Sequence, residues 1–172
     1  MPLGVELLLR ADGVSTNLDA IAKAHAAAGR PAGERCWLRG EGLDAITMAA
    51  ALAPQLRTAL GVVVDLDREP SVLARDLTTL SHLCPDGLAV ALRTPAAEAG
   101  RLEEFVAVLR AMFSSEETTL EFGGSKLVAT PNRPLPLQPG GPEIWIDTRL
   151  GASAVAGVAQ VIAKGDLVEL EA

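Results

Sequence analysis

The chain has 172 residues, 49% of them apolar and 22% charged, which suits one globular domain spanning residues 1–172 with a sizeable core. Its net charge of -7 leaves no cationic face for a nucleic-acid backbone. No apolar run approaches the roughly 20 residues that cross a bilayer, and the N-terminus lacks a signal-peptide layout.

Tyrosine is absent and only three phenylalanines and two tryptophans occur, so the core must be aliphatic. The two cysteines, Cys36 and Cys84, lack CxxC spacing, and the two histidines, His25 and His82, have no partner at ligand spacing. These features predict a cytoplasmic protein with two reduced, buried thiols and no metal site.

Short apolar runs alternate with helical patterns. Val5–Leu9 reads as a strand, followed by a turn at Ala11-Asp12-Gly13 and a helix from Leu18 to about Ala28, stopped by Gly29. Arg35–Leu38 is a second strand, and Leu43–Leu52 carries helical spacing that should end before Pro54. Ala59–Val64 is continuous and rich in valine, as expected of a parallel strand buried on both faces. Pro70 opens the next helix, which reaches about Leu83. Cys84-Pro85-Asp86-Gly87 turns the chain into a fourth strand, Leu88–Leu92, and Leu102–Phe113 repeats apolar residues at helical intervals.

The pattern then changes. Thr118–Phe122, Gly123-Gly124 and Ser125–Val128 predict a hairpin with a two-residue turn. A proline-rich connection from Pro131 to Pro142 follows, too restricted for helix or central strand. Glu143–Ile146 is a fifth strand of the main sheet, Ser153–Ala163 an Ala/Val-rich helix, and Asp166–Leu170 a short last strand. Strand–helix alternation implies a parallel sheet with right-handed crossovers. An open doubly wound sheet and part of a (β/α)8 barrel both satisfy it.

In a barrel, the carboxyl ends of the strands form the functional face. Here they deliver Arg10 and Asp12, then Arg39 and Glu41, then Asp65, Asp67, Arg68 and Glu69, then Arg93, and finally Asp147 and Arg149. Two readings compete. Arg39, Arg68 and Arg93 could form a site for an anionic or polar ligand, or the same charges could form a salt-bridged, solvated rim. No Ser/His/Asp or Cys/His set, no P-loop and no distinct carboxylate pair is present, so no catalytic residue is named. Trp37 and Trp145, both in strands, read as barrel core or interface rather than as stacking platforms.

The segment Arg57-Thr58-Ala59-Leu60-Gly61-Val62-Val63-Val64, with Arg68-Glu69-Pro70-Ser71-Val72-Leu73-Ala74-Arg75-Asp76-Leu77, resembles the luciferase-like family. That family includes flavin-dependent monooxygenases and oxidoreductases using the deazaflavin coenzyme F420. Phe122-Gly123-Gly124, Pro134, Pro136-Leu137-Gln138-Pro139-Gly140-Gly141-Pro142 and Glu143-Ile144-Trp145-Ile146 resemble the family's F-x-G and PxPxQxPxPPIWI stretch. The resemblance implies a TIM-type barrel, here incomplete, with five to six parallel strands and a hairpin inserted before the fifth. It implies an oxidoreductase of the monooxygenase type with FMN or F420, and places Gly61 and Val62 nearest the family's ring-buttressing position in strand three.

Several positions depart from the family. Arg39-Gly40-Glu41-Gly42 replaces a histidine and a long active-site loop, and Glu69 stands where His or Asn precedes the proline. Val90, Ala91, Leu92, Arg93 and Thr94 replace a G-x-G that lets the cofactor approach the backbone. A full barrel takes about 250 residues, so the chain reads as truncated, with reduced or lost activity or no cofactor at all. A barrel ending early should expose its first and last strands and open its Val/Leu interior to water. That exposure predicts a homodimer, or pairing with a full-length luciferase-like homologue, as a partner subunit or scaffold.

Overall fold

The computed structural model describes residues 4–10, 35–56, 58–95, 99–152, 155, 158, 160–164 and 166–171. The predicted turn at 11–13 and helix at 18–28 lie outside these residues. The main sheet is built from β1 (Gly4–Arg10), β2 (Arg35–Glu41), β3 (Leu60–Asp65), β4 (Leu88–Arg93), β7 (Glu143–Asp147), β8 (Gln160–Ile162) and β9 (Leu167–Glu171). Helices α1 (Ala45–Leu56), α2 (Pro70–Leu83) and α3 (Ala99–Phe113) follow β2, β3 and β4. The hairpin β5 (Thr118–Phe122) and β6 (Ser125–Ala129) sits between β4 and β7 as its own two-stranded sheet. Both turn glycines, Gly123 and Gly124, have positive φ, the geometry that brings Phe122 opposite Ser125.

The strand order is β8-β7-β4-β3-β2-β1-β9, and every pairing is parallel. The architecture is that of an incomplete TIM-type barrel. A flat seven-stranded sheet would hold its edges about 29 Å apart, six spacings of about 4.8 Å. Ile162 on one edge and Leu167 on the other are five residues apart in the chain, so their Cα atoms lie within about 19 Å. The connection is a turn, with the Asp166 N–H donating to the Ala163 carbonyl and the Asp166 carboxylate accepting from the Ala163 N–H. The sheet must therefore curl. Ile162 and Leu167 accordingly share one buried cluster with Trp37, Val63, Ala89 and Ala91 on the concave face.

Register separates the two faces. Outward-facing Leu38, Val62, Val90 and Ile146 pack with Leu52, Leu73, Leu77, Leu102 and Leu109 of the helices in the larger core. The inward face carries Trp37, Gly61, Ala89, Val63, Ala91 and Trp145 in adjacent register rows. A side chain at Gly61 would begin under 3.0 Å from atoms of the Trp37 ring, so glycine here makes room for the indole.

Four expectations change. Gln160–Ile162, read as the end of a helix, is a strand paired with β7, and it brings the parallel sheet to seven strands. Pro54 lies inside α1 rather than beyond it, because a proline near the last turn removes only one bond while Leu56 still gains burial. The first strand is not an edge, since β9 covers it, and β8 and β9 are the edges. The concave interior is buried by the chain's own residues instead of opening to water.

The proline-rich connection is strapped onto α2. Asn132 donates to the buried Thr78 hydroxyl at 2.8 Å, the Leu137 N–H donates to Ser81 Oγ at 3.0 Å, and His82 Nε2 lies 2.9 Å from the Leu135 carbonyl. Neither cysteine is in a disulfide, and both are buried. Burial, aided by the Asp86 charge, pushes the Cys84 thiol up to about 11. Neither thiol should therefore react with an aromatic disulfide reagent at pH 8 in the native protein, whereas two should react once denaturant is added. A fast-reacting native thiol, followed by absorbance, would contradict this packing.

Candidate functional site

The strands run further than their apolar stretches, which places the rim charges on the sheet rather than on loops. Glu41, Asp65, Arg93 and Asp147 end β2, β3, β4 and β7, and the last three are register neighbours. Arg93 forms a fork on Asp65, Nε to Oδ1 at 2.7 Å and a terminal nitrogen to Oδ2 at 2.9 Å. This fork, with Asp147 nearby, outweighs desolvation and holds the Arg93 guanidinium even more firmly protonated than usual.

The centre of the mouth is Arg149, in the 3-10 turn Thr148–Leu150 that follows β7. It forms forks on two carboxylates at once. Its two terminal nitrogens donate to the Glu6 oxygens, both at 2.7 Å. Its Nε and one terminal nitrogen donate to Asp147 at 2.9 and 2.7 Å. Glu6 and Asp147 are each 0% exposed. The Glu6 bonds, then those of Asp147, raise the Arg149 pKa despite its burial. The Asp147 side chain also accepts the Arg149 backbone N–H at 3.0 Å, fixing the turn. Arg39 Nε lies 3.3 Å from Glu6, and another Arg39 nitrogen lies 3.7 Å from Glu41. The result is a nearly continuous lattice from Glu41 to Asp147 in which each cation meets a carboxylate.

Of the residues expected at the rim, Arg39, Glu41, Asp65, Arg93 and Asp147 are thus brought together. Arg68 is not. It pairs with Asp44 and Asp76 on the helix side, so Arg39, Arg68 and Arg93 do not form one cationic site. Asp65, Asp67 and Arg68 instead line a polar cleft of about 310 Å³ between the ends of β2 and β3, with Gly40, Gly42 and Asp44. Glu69 is exposed at the start of α2 and makes no side-chain cap. Gly61 lies beneath the Trp37 ring, and Val62 faces the helix layer. Asp12 and the Arg10 side chain lie outside the described residues.

Sequence reading missed Glu6 and Arg35. Glu6 was legible in principle, being one charge inside an apolar strand and two positions from Leu8 on the same face. Arg35 closes the start of the barrel. It forms a fork on Glu143 at 3.0 and 3.1 Å and lies 5.7 and 5.9 Å from the centres of the Trp37 and Trp145 rings. The two indoles meet edge to face at 5.5 Å, and Trp145 Nε1 donates to Glu143.

The sequence matches no family model and no curated protein. Solved structures do match. The monooxygenase RslO1 of Streptomyces bottropensis aligns with 86% of this chain and 53% of its own, at 18% identity and a TM-score of 0.65. The coenzyme F420-dependent tetrahydromethanopterin reductase of Methanopyrus kandleri aligns with 86% and 50%, at 11% identity and 0.66. The oxygenating constituent of 3,6-diketocamphane monooxygenase of Pseudomonas putida, a type II Baeyer-Villiger monooxygenase solved with FMN, aligns with 86% and 51%, at 13% identity and 0.56. The chain shares the barrel fold of the part of these structures that it aligns with. It spans about half the length of these structures.

Among the described residues, those at the mouth do not fit a flavin or deazaflavin. Arg39, Arg93 and Arg149 are each engaged by carboxylates of this chain, leaving no cation of that set to hold a phosphate. The adjoining cleft adds Asp44, Asp65 and Asp67, which repel one. Among the described residues, no helix is long and apolar enough to cross a membrane.

Two outcomes follow. Arg149→Met leaves Glu6 and Asp147 buried without their shared cation and should cost about 3–5 kcal/mol, a fall in melting temperature on the order of 10 °C by calorimetry. Glu143 behaves differently, because its Arg35 bonds hold its pKa below the ordinary 4.5. Its stabilising contribution is present above about pH 4.5 and fades as pH falls through the lower folded value. The stability gap between wild type and Glu143→Gln should be constant from pH 5 to 7 and shrink below pH 4.5; a gap unchanged down to pH 3 would contradict the assignment.

Proposed function

We propose that this chain is a non-catalytic homologue of the flavin- or F420-dependent luciferase-like oxidoreductases and works as a partner subunit in the cytoplasm. One observation carries the reading. At the functional face of the barrel, the charges that could hold a cofactor are spent on one another through Arg149, Glu6 and Asp147. The fold likeness supports descent from a cofactor-dependent scaffold, and the departures at Gly40–Gly42, Glu69 and Val90–Thr94 support loss of the activity.

A second reading keeps the redox chemistry. It is favoured by the polar cleft of about 310 Å³ at the carboxyl ends of β2 and β3, where FMN or F420 would be approached by Asp65, Asp67 and Arg68. The cleft lies near the lower limit of ordinary ligand pockets, about 300 Å³.

Titration of the purified protein with FMN and with F420, followed by cofactor fluorescence, separates the two. The first reading expects no binding at 100 μM. Binding tighter than roughly 10 μM, about -7 kcal/mol, would establish the second. Association is a separate matter, and it rests now on the edges β8 and β9 instead of on an open interior. Light scattering at micromolar concentration should give twice the 17.9 kDa chain mass, and a stable monomer would remove the homodimer.

A further inference from the structure

The proline-rich strap also encloses space at the opposite end of the sheet from the charged mouth. Gln138 Nε2 donates to the Leu88 carbonyl at 3.2 Å, which ties this part of the strap to the first residue of β4. Between the strap and the end of α3 lies an open cavity of about 410 Å³. Phe113, Leu135, Pro136 and Pro139 give it an apolar lining, and Ser114, Ser115 and Gln138 are its polar side chains. Among the described residues, no charged side chain lines it. Two glycines of the strap shape this space. A side chain at Gly141 would begin under 3.0 Å from the Phe113 ring, so glycine lets the strap press on that ring. A Cβ at Gly140, which lines the cavity, would meet nothing within 4 Å.

We propose that this cavity binds a small, uncharged, mainly apolar molecule bearing one N–H or O–H donor. The inference goes beyond the reading of the mouth and does not depend on it. Gln138 carries the chemistry. With Nε2 committed to Leu88, its Oε1 is buried and accepts no hydrogen bond among the described residues. A buried acceptor without a donor is costly, and a ligand that supplies the donor removes that cost. The Ser114 hydroxyl is already shared between the Ala111 and Glu116 carbonyls at 2.7 and 2.6 Å, so it offers a ligand no free donor. The cavity therefore asks for one donor and otherwise for apolar surface. An anionic ligand would lose water there with no cation in the lining to replace it. The volume falls within the ordinary range of ligand pockets, roughly 300–1,000 Å³. The wall is also preformed, because Asn132 and the Leu137 N–H hold the strap to Thr78 and Ser81 of α2, and a fixed wall lowers the ordering cost of binding.

Indole and benzofuran test the site, because they share a shape and differ in the one donor. Each is titrated into the isotopically labelled full chain and followed by amide NMR shifts. The site predicts that indole moves the amides of Ser114, Ser115, Leu135 and Gly140 with a Kd of about 1 mM or tighter. Benzofuran should bind about fivefold or more weakly, the worth of one hydrogen bond to a buried acceptor. Gln138→Met, with circular dichroism confirming its fold, should bind the two compounds equally. Ser115 is exposed at the rim, and Ser115→Trp should weaken indole about tenfold or more by filling the opening. That variant carries the comparison if Gln138→Met does not fold. Wild type that shows no shift at these amides, or that binds indole and benzofuran with equal affinity, would overturn the site. So would a folded Ser115→Trp that binds indole as tightly as wild type does.

Discussion

When a parallel sheet curls on itself, the side chains on its inner face lose water and must be satisfied by one another. This constraint governs the rest of the molecule. The outer face needs only apolar surface against the helices, and Leu38, Val62, Val90 and Ile146 supply it in register. The inner face has less room and carries ionisable groups. Glu6 and Asp147, both fully buried, are tolerable there because one guanidinium reaches both.

The interior is layered by chemistry. At the start of the strands, Arg35 lies against both indoles of a touching pair and holds Glu143, so its charge is met by a carboxylate and by aromatic rings. Above this, Gly61, Ala89 and Ala91 are small where Trp37 is large, a size compensation that fills the hollow. At the carboxyl ends the lattice of arginines and carboxylates takes over. On the face that serves chemistry in barrels of this kind, the arginines are here paired with carboxylates of the same chain.

Most elements were legible from residues alone. The runs at Leu60–Val64 and Leu88–Leu92 and the start of α2 at Pro70 declare themselves by composition and turn chemistry. So does the Gly123-Gly124 hairpin. Gln160–Ile162 did not, because a short Ala/Val/Ile stretch has no period that separates strand from helix, and its pairing with β7 decides the matter. The rim charges were also legible as strand-end residues, and Asp65 and Arg93 meet because their strands pair in register.

The site was less legible than the fold. Local sequence placed Arg39 and Arg68 on equal terms, yet the first turns inward to Glu6 and the second outward to Asp44. Glu6 looked like one charge in an apolar strand, and Arg149 like one rim charge among several. Alternation of apolar strands and helices determined that a parallel sheet would form, since that pattern sets which faces must be buried. Which charges meet was decided only by the curl of the sheet, because an ion pair across a hollow depends on the closure of seven strands and leaves no mark on either local sequence.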